Sequence, residues 1–137
     1  MKRWTKVGLC AFLAVMLVSM ERFAAAAPDV KQVKKQSGDV KEIKKQSSEM
    51  LKHAQEMVTH GKAAHPDVMT THAKETIKSA QKALDNIPTG STHGEAAAGH
   101  IKSVIERAKA TIDGKSVDTA EQAVIHATEA NKHIKQM

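Results

Sequence analysis

The chain has 137 residues, which suits one domain. Its single cysteine excludes an intramolecular disulfide and the Cys-x-x-Cys-His of a c-type haem site. Only 2% of residues are aromatic, which leaves almost no platform for stacking nucleic-acid bases, and the formal net charge is a mild +6.

Residues 1–26 have the order of a secretory leader. Lys2, Arg3 and Lys6 form a basic start, residues 7–20 an apolar run, and Ala24 to Ala27 a small-residue stretch. The run is 14 residues long, short of the roughly 18 that span a bilayer. Pro28 disfavours a cut after Ala27, so cleavage is expected after Ala26. That cut removes Trp4, Cys10, Phe12 and Phe23, and the mature chain then lacks both aromatic residues and cysteine. It keeps 17 basic and 14 acidic residues, a net charge of +3 that does not call for nucleic acid.

Residues 27–48 are dominated by a tandem decapeptide, DVKQVKKQSG followed by DVKEIKKQSS. Val30, Val33, Val40 and Ile43 give it a weak helical stripe, and Gly38 weakens its middle. The expectation is a solvated basic arm or frayed helix extension, with lysines able to make weak contact with an anionic envelope surface.

Residues 49–137 carry four segments of helical period. The first, about 48–64, has Met50, Ala54, Met57, Val58 and Gly61 on one stripe. Pro66 and Asp67 stop it and start the second, whose stripe is Met69, Ala73, Ile77, Ala80 and Leu84. The third uses Ala97, Ile101, Val104, Ile105, Ala108 and Ile112 and ends at Asp113-Gly114. The fourth, capped by Ser116 or Asp118, uses Ala120, Ala123, Ala127, Ala130 and Ile134. Short connections force antiparallel neighbours, so the expected fold is an all-α, up-down antiparallel four-helix bundle with a narrow, alanine-rich core, and a monomer.

The eight histidines form four pairs seven residues apart: His53/His60, His65/His72, His93/His100 and His126/His133. Chance placement at this density gives well under ~1 such pair. A single histidine on a helix flank is ordinarily a solvated surface residue; the repeated spacing is what points to metal. Residues seven apart on one helix are separated by roughly 10.5 Å along its axis, whereas metal–nitrogen bonds are about 2.0–2.1 Å. No helix therefore holds an ion with its own histidine pair. A carboxylate three residues on supplies one further ligand, as in His53-Ala-Gln-Glu56, His72-Ala-Lys-Glu75 and His126-Ala-Thr-Glu129. The facing helix supplies the other. His53/His72 and His60/His65 are mirror-symmetric about the turn at 61–65, and His100/His126 and His93/His133 about Asp113-Gly114. The histidines are thus expected to meet within each hairpin rather than between the second and third helices. Met50, Met57 and Met69 read as core rather than thioether ligands.

The stretch 51–84, LKHAQEMVTHGKAAHPDVMTTHAKETIKSAQKAL, resembles the small metal-binding proteins of the bacterial periplasm, and the resemblance extends over about 49–137. Those proteins are short, exported, histidine-rich four-helix bundles with repeated His-Ala-x-Glu and His-Gly-Lys segments. The resemblance implies a periplasmic protein that binds several divalent ions, copper among them, in a buffering or protective role. His53, Glu56, His60, His65, His72, Glu75, His126, Glu129 and His133 occupy ligand-like positions of the repeat. Ser79, Ser103 and Arg107 depart from it, and the decapeptide repeat looks like an addition.

The chemistry of imidazole with carboxylate independently suits Cu(II), Ni(II), Zn(II) and Co(II), with Cu(II) tightest in the divalent affinity order. The sequence offers no nucleophile–base constellation and no phosphate loop, so an enzyme is not expected. The competing reading is a helical envelope-stress or holdase protein that binds unfolded chains or anionic surfaces. The mirrored histidine register separates the two, because a holdase has no need of it.

Overall fold

The computed structural model describes residues 30–137 except Thr89, with side chains from Val40 onward. The expected leader, residues 1–26, lies outside the described residues. Four helices follow one another: α1 (Val30–Lys62), α2 (Pro66–Asn86), α3 (Thr92–Gly114) and α4 (Val117–Lys135). α1 packs against α2 and α4, and α3 against α2 and α4, in the cyclic order of an up-down bundle. Among the described residues there is no strand, and no helix is long and apolar enough to cross a membrane.

The core spacing alternates between three and four residues, with Ser79 of α2 buried beside it. α2 buries Met69, Ala73, Thr76, Ser79, Ala80 and Ala83; α3 buries Gly94, Ala97, Ile101, Val104, Ala108 and Thr111; α4 buries Ala120, Ala123, Ala127, Ala130 and Ile134. This heptad pattern keeps one seam of each helix facing its neighbours. Alanine dominates the seam, so helices approach closely and side chains beside it come near those of the next helix.

The largest difference from expectation is the second decapeptide. α1 runs unbroken through residue 48, and the stripe Ile43, Ser47, Met50, Ala54, Met57 is fully buried. Ile43 sits in the core cluster with Ala80, Ala97, Ala130 and Ile134, and Ser47 Oγ donates to Asn131 Oδ1 at 3.2 Å across α1 and α4. The boundary between arm and bundle expected at 48 is therefore not a structural break. The physical reason is phase: Ile43 stands one heptad before Met50, so the repeat continues the bundle's own seam.

The turns use specific backbone devices. Ala64 adopts φ 59°, and the amide of His65 reaches back to the carbonyl of His60 at 2.9 Å, closing α1 before Pro66 opens α2. Lys115 ends α3 with φ 47°, and Ser91 caps α3 by accepting from the Gly94 amide at 2.9 Å. Ser116 is the N-cap of α4 without a side-chain bond, and Asp118 lies in the first turn. A left-handed backbone strains any residue with a Cβ by about 1 kcal/mol. Ala64→Gly should accordingly raise the thermal midpoint by roughly 4 °C, as followed by circular dichroism. A lowered midpoint would mean that Ala64 does not hold this conformation in solution.

Candidate metal centre

A seven-residue spacing is one heptad, so the two histidines of each pair share one helix face, and six of the eight stand immediately before a buried seam residue. Ala54, Ala73, Gly94, Ile101, Ala127 and Ile134, which follow six of them, are buried. The imidazoles therefore stand along the edge of the seam, where two antiparallel helices converge in an outer groove. His53, His60, His72, His100, His126 and His133 are half-buried, while His65 and His93 are exposed.

The four cross-hairpin pairs expected from the mirror register all come together. Ring centroids are 5.9 Å apart for His53/His72, 5.9 Å for His60/His65, 5.7 Å for His93/His133 and 5.7 Å for His100/His126. The pairs are not isolated, however. His72 also stacks on His60 at 5.1 Å, and His100 on His133 at 5.7 Å. Each groove thus holds a ladder of four interleaved rings: His53, His72, His60, His65 between α1 and α2, and His126, His100, His133, His93 between α3 and α4. Each helix's histidines sit two turns apart, and the partner's histidine fills the gap between them. Ser79 and Arg107 stand one heptad beyond His72 and His100, where the ladders stop.

In the α1/α2 groove the ladder meets a carboxylate. Glu56 Oε2 lies 3.1 Å from His53 Nδ1 and 3.1 Å from His72 Nδ1. His53, Glu56 and His72 each offer an atom within 4.8 Å of the other two, and they are the only such triad among the described residues. Two atoms bound at about 2.1 Å to a tetrahedral ion lie about 3.4 Å apart, so this spacing fits ligands of one ion. His72 Nδ1 adds a chemical argument. It is buried and close to Glu56, yet outside hydrogen-bonding geometry, so it has no partner. A buried polar atom without a partner is costly, and a bound cation would satisfy it. Lys52 Nζ stands 3.9 Å from the other carboxylate oxygen, Oε1, on the solvent side.

The α3/α4 groove presents nitrogen alone. His100 Nδ1 faces His126 Nδ1 at 3.4 Å, and His93 Nδ1 faces His133 Nδ1 at 3.4 Å. That separation is long for an N–H···N hydrogen bond and close to the ligand–ligand distance of one tetrahedral ion. Glu129 lies nearby but is drawn to Lys132, whose Nζ is 2.6 Å from Oε1. The hydrogen bond from Lys132 lowers the Glu129 carboxyl from its ordinary value, partial burial opposes it, and the charges of Lys132, His100 and His133 add to the lowering. Glu75 is not brought to the ladder. In the register that pairs His53 with His72 it falls opposite Met50, past the last ring, and it pairs with Lys78 at 3.6 Å.

An α-helical bundle carrying histidine-lined grooves and a His/Glu triad defines a helical metal-binding protein. The family model of the small metal-binding proteins matches residues 1–137, and the chain belongs to that family. Comparison with curated proteins gave no match.

Proposed function

We propose that this protein sequesters divalent transition metals and buffers their free concentration, with Cu(II) bound tightest and Ni(II), Zn(II) and Co(II) also accepted. The observation that carries this reading is the single oxygen of Glu56 placed 3.1 Å from two imidazole nitrogens on different helices. His53, Glu56 and His72 form the first site. His60 and His65 extend that ladder, and His100, His126, His93, His133 and Glu129 serve the other groove. Glu75 is at most an outlying ligand. The protein acts as a monomer by binding, not catalysis, in the periplasm, after loss of the leader at Ala26. Exposed lysines of the decapeptide repeat, such as Lys41 and Lys45, offer weak contact to an anionic envelope surface. A holdase would need a broad apolar face, whereas the exposed large hydrophobics among the described residues are Val68 and Ile125, on different helices.

Calorimetric titration of the metal-free chain with Cu(II) and Zn(II) tests the reading. Binding should be saturable, and an ion bridging two helices should raise the melting temperature, because it binds only the folded chain. At 100 times the Kd the gain is about 2.7 kcal/mol. The absence of both binding heat and a melting shift would overturn the proposal.

Two further results are expected. Ligation needs neutral imidazole, so affinity should fall steeply as pH drops through the ordinary histidine range near ~6.5. Binding that persists unchanged to about pH 4.5 would assign the metal to carboxylates instead. Mass spectrometry of protein from the cell envelope should find a chain starting at Ala27, and a product retaining the apolar run would refute export with cleavage.

A further inference from the structure

The two grooves are copies of one another. His53, Glu56 and His60 of α1 have the same mutual spacing as His126, Glu129 and His133 of α4, within the shared pattern His-Ala-x-Glu-x-x-x-His-x-Lys. His65, the N-cap of α2, and His72 of α2 match His93 and His100 of α3 in the same spacing. Under this correspondence the ring contacts also coincide: His53/His72, His72/His60 and His60/His65 map onto His126/His100, His100/His133 and His133/His93. The correspondence pairs α1 with α4 and α2 with α3.

Two positions that differ in charge break the symmetry. The residue before the second histidine is Thr59 in α1 and Lys132 in α4; the residue before the first is Lys52 in α1 and Ile125 in α4. In α1, Lys52 takes the outer oxygen of the carboxylate at 3.9 Å and leaves Oε2 on the two imidazoles. In α4, the ammonium of Lys132 sits 2.6 Å from Glu129, and Glu129 forms no triad with the ladder.

We propose that Lys132 sets the affinity of the α3/α4 groove by withholding Glu129 from the metal, so that the two grooves load in order, α1/α2 first. This rests on the metal-binding reading above and adds to it a residue that ranks the sites. Lys132 acts in two ways: it competes with the cation for the carboxylate, and its own charge repels a dication entering the groove. It is a positioning residue and touches no ion. Because the ion pair is exposed, with side-chain exposures of 62% and 39%, competition alone is modest. Together with repulsion it gives a difference on the order of 10-fold, the lower end of what outer ligand-orienting groups contribute.

The test uses the full chain and Zn(II) titrations by calorimetry. The native protein should show a tight and a weaker class of sites. Lys132→Thr should tighten the weaker class about 5- to 10-fold and leave the tighter class unchanged. Thr59→Lys should weaken the tighter class by a similar factor, and Lys132→Arg should retain the native separation. Positions 59 and 132 are both exposed, so folding is not at issue, and unchanged circular dichroism checks this. X-ray absorption on the zinc-loaded Lys132→Thr protein should show more oxygen ligation than the native protein. If the native protein binds zinc but neither Lys132→Thr nor Thr59→Lys moves either class, the role of Lys132 is refuted and the metal reading stands. If the native protein binds no zinc at all, both fail.

Discussion

His72→Ala should lower the affinity of the α1/α2 groove for Cu(II) by about 100-fold or more, beyond the 10–100-fold typical of groups that only orient a ligand. His72 is the central ring of its ladder: it stacks on both His53 and His60 and shares the Glu56 oxygen with His53. Its loss leaves two ligands from one helix, which no longer tie α1 to α2. The metal-induced rise in melting temperature should shrink with it. His53→Ala should weaken the same event, and the double variant should lose little more than either single one, since ligands of one ion are not additive. His53→Ala combined with His126→Ala should instead add, because these rings belong to opposite grooves. Independence of His53 and His72 in calorimetry would mean that the mirrored spacing is not a shared site.

The pairing of rings was readable because antiparallel hairpins convert sequence symmetry into spatial proximity. Once the turns at 61–65 and 113–116 are placed, His53 must meet His72 and His100 must meet His126. The ladder was not readable from the pairs alone. It depends on the offset between facing helices, which lets His72 sit between His53 and His60 rather than level with one of them. The choice of Glu56 over Glu75 has the same origin: both stand three residues after a histidine, but only Glu56 lies between two rungs. Lys132 escaped because a lysine on a helix flank is ordinarily solvated, and its meaning emerges only beside Thr59.

Most of the core was legible for a similar reason. The five stripe residues of α4 are all fully buried as spaced. Ile77, Leu84, Ile105 and Ile112 of the expected stripes are only half-buried, Ala83 is buried where Leu84 was expected, and polar residues occupy other seam positions. Thr76 donates its hydroxyl to the His72 carbonyl at 2.8 Å and Thr111 to the Arg107 carbonyl at 2.9 Å, so each enters the core with its polar atom satisfied. A hydropathy pattern counts them as surface. Ser47, bonded to Asn131, and Gln46, whose Oε1 is buried without a partner, hide the start of the α1 seam from such a pattern, which is why the decapeptide repeat reads as an arm.

That difference yields the second large effect, on stability. Ile43→Ala should cost about 2–5 kcal/mol, the range for deleting a buried branched side chain and leaving a cavity. For a domain near 100 residues, each kcal/mol moves the melting midpoint by roughly 4–8 °C, so a fall of about 15 °C is expected. An arm residue exposed to solvent would change stability by only about 0.5 kcal/mol in either direction. The two readings therefore differ by an amount that thermal melts resolve easily. Val40→Ala, at a half-buried position one turn earlier, should cost less. A bound divalent ion should recover part of the loss in Ile43→Ala, because ligand binding stabilises the folded state whatever the source of the weakness. That recovery requires the grooves to survive, and His53 lies almost three turns beyond Ile43 on the same helix. If Ile43→Ala melts like the native chain, the repeat is not part of the bundle, and α1 stabilises the fold only from Met50 onward.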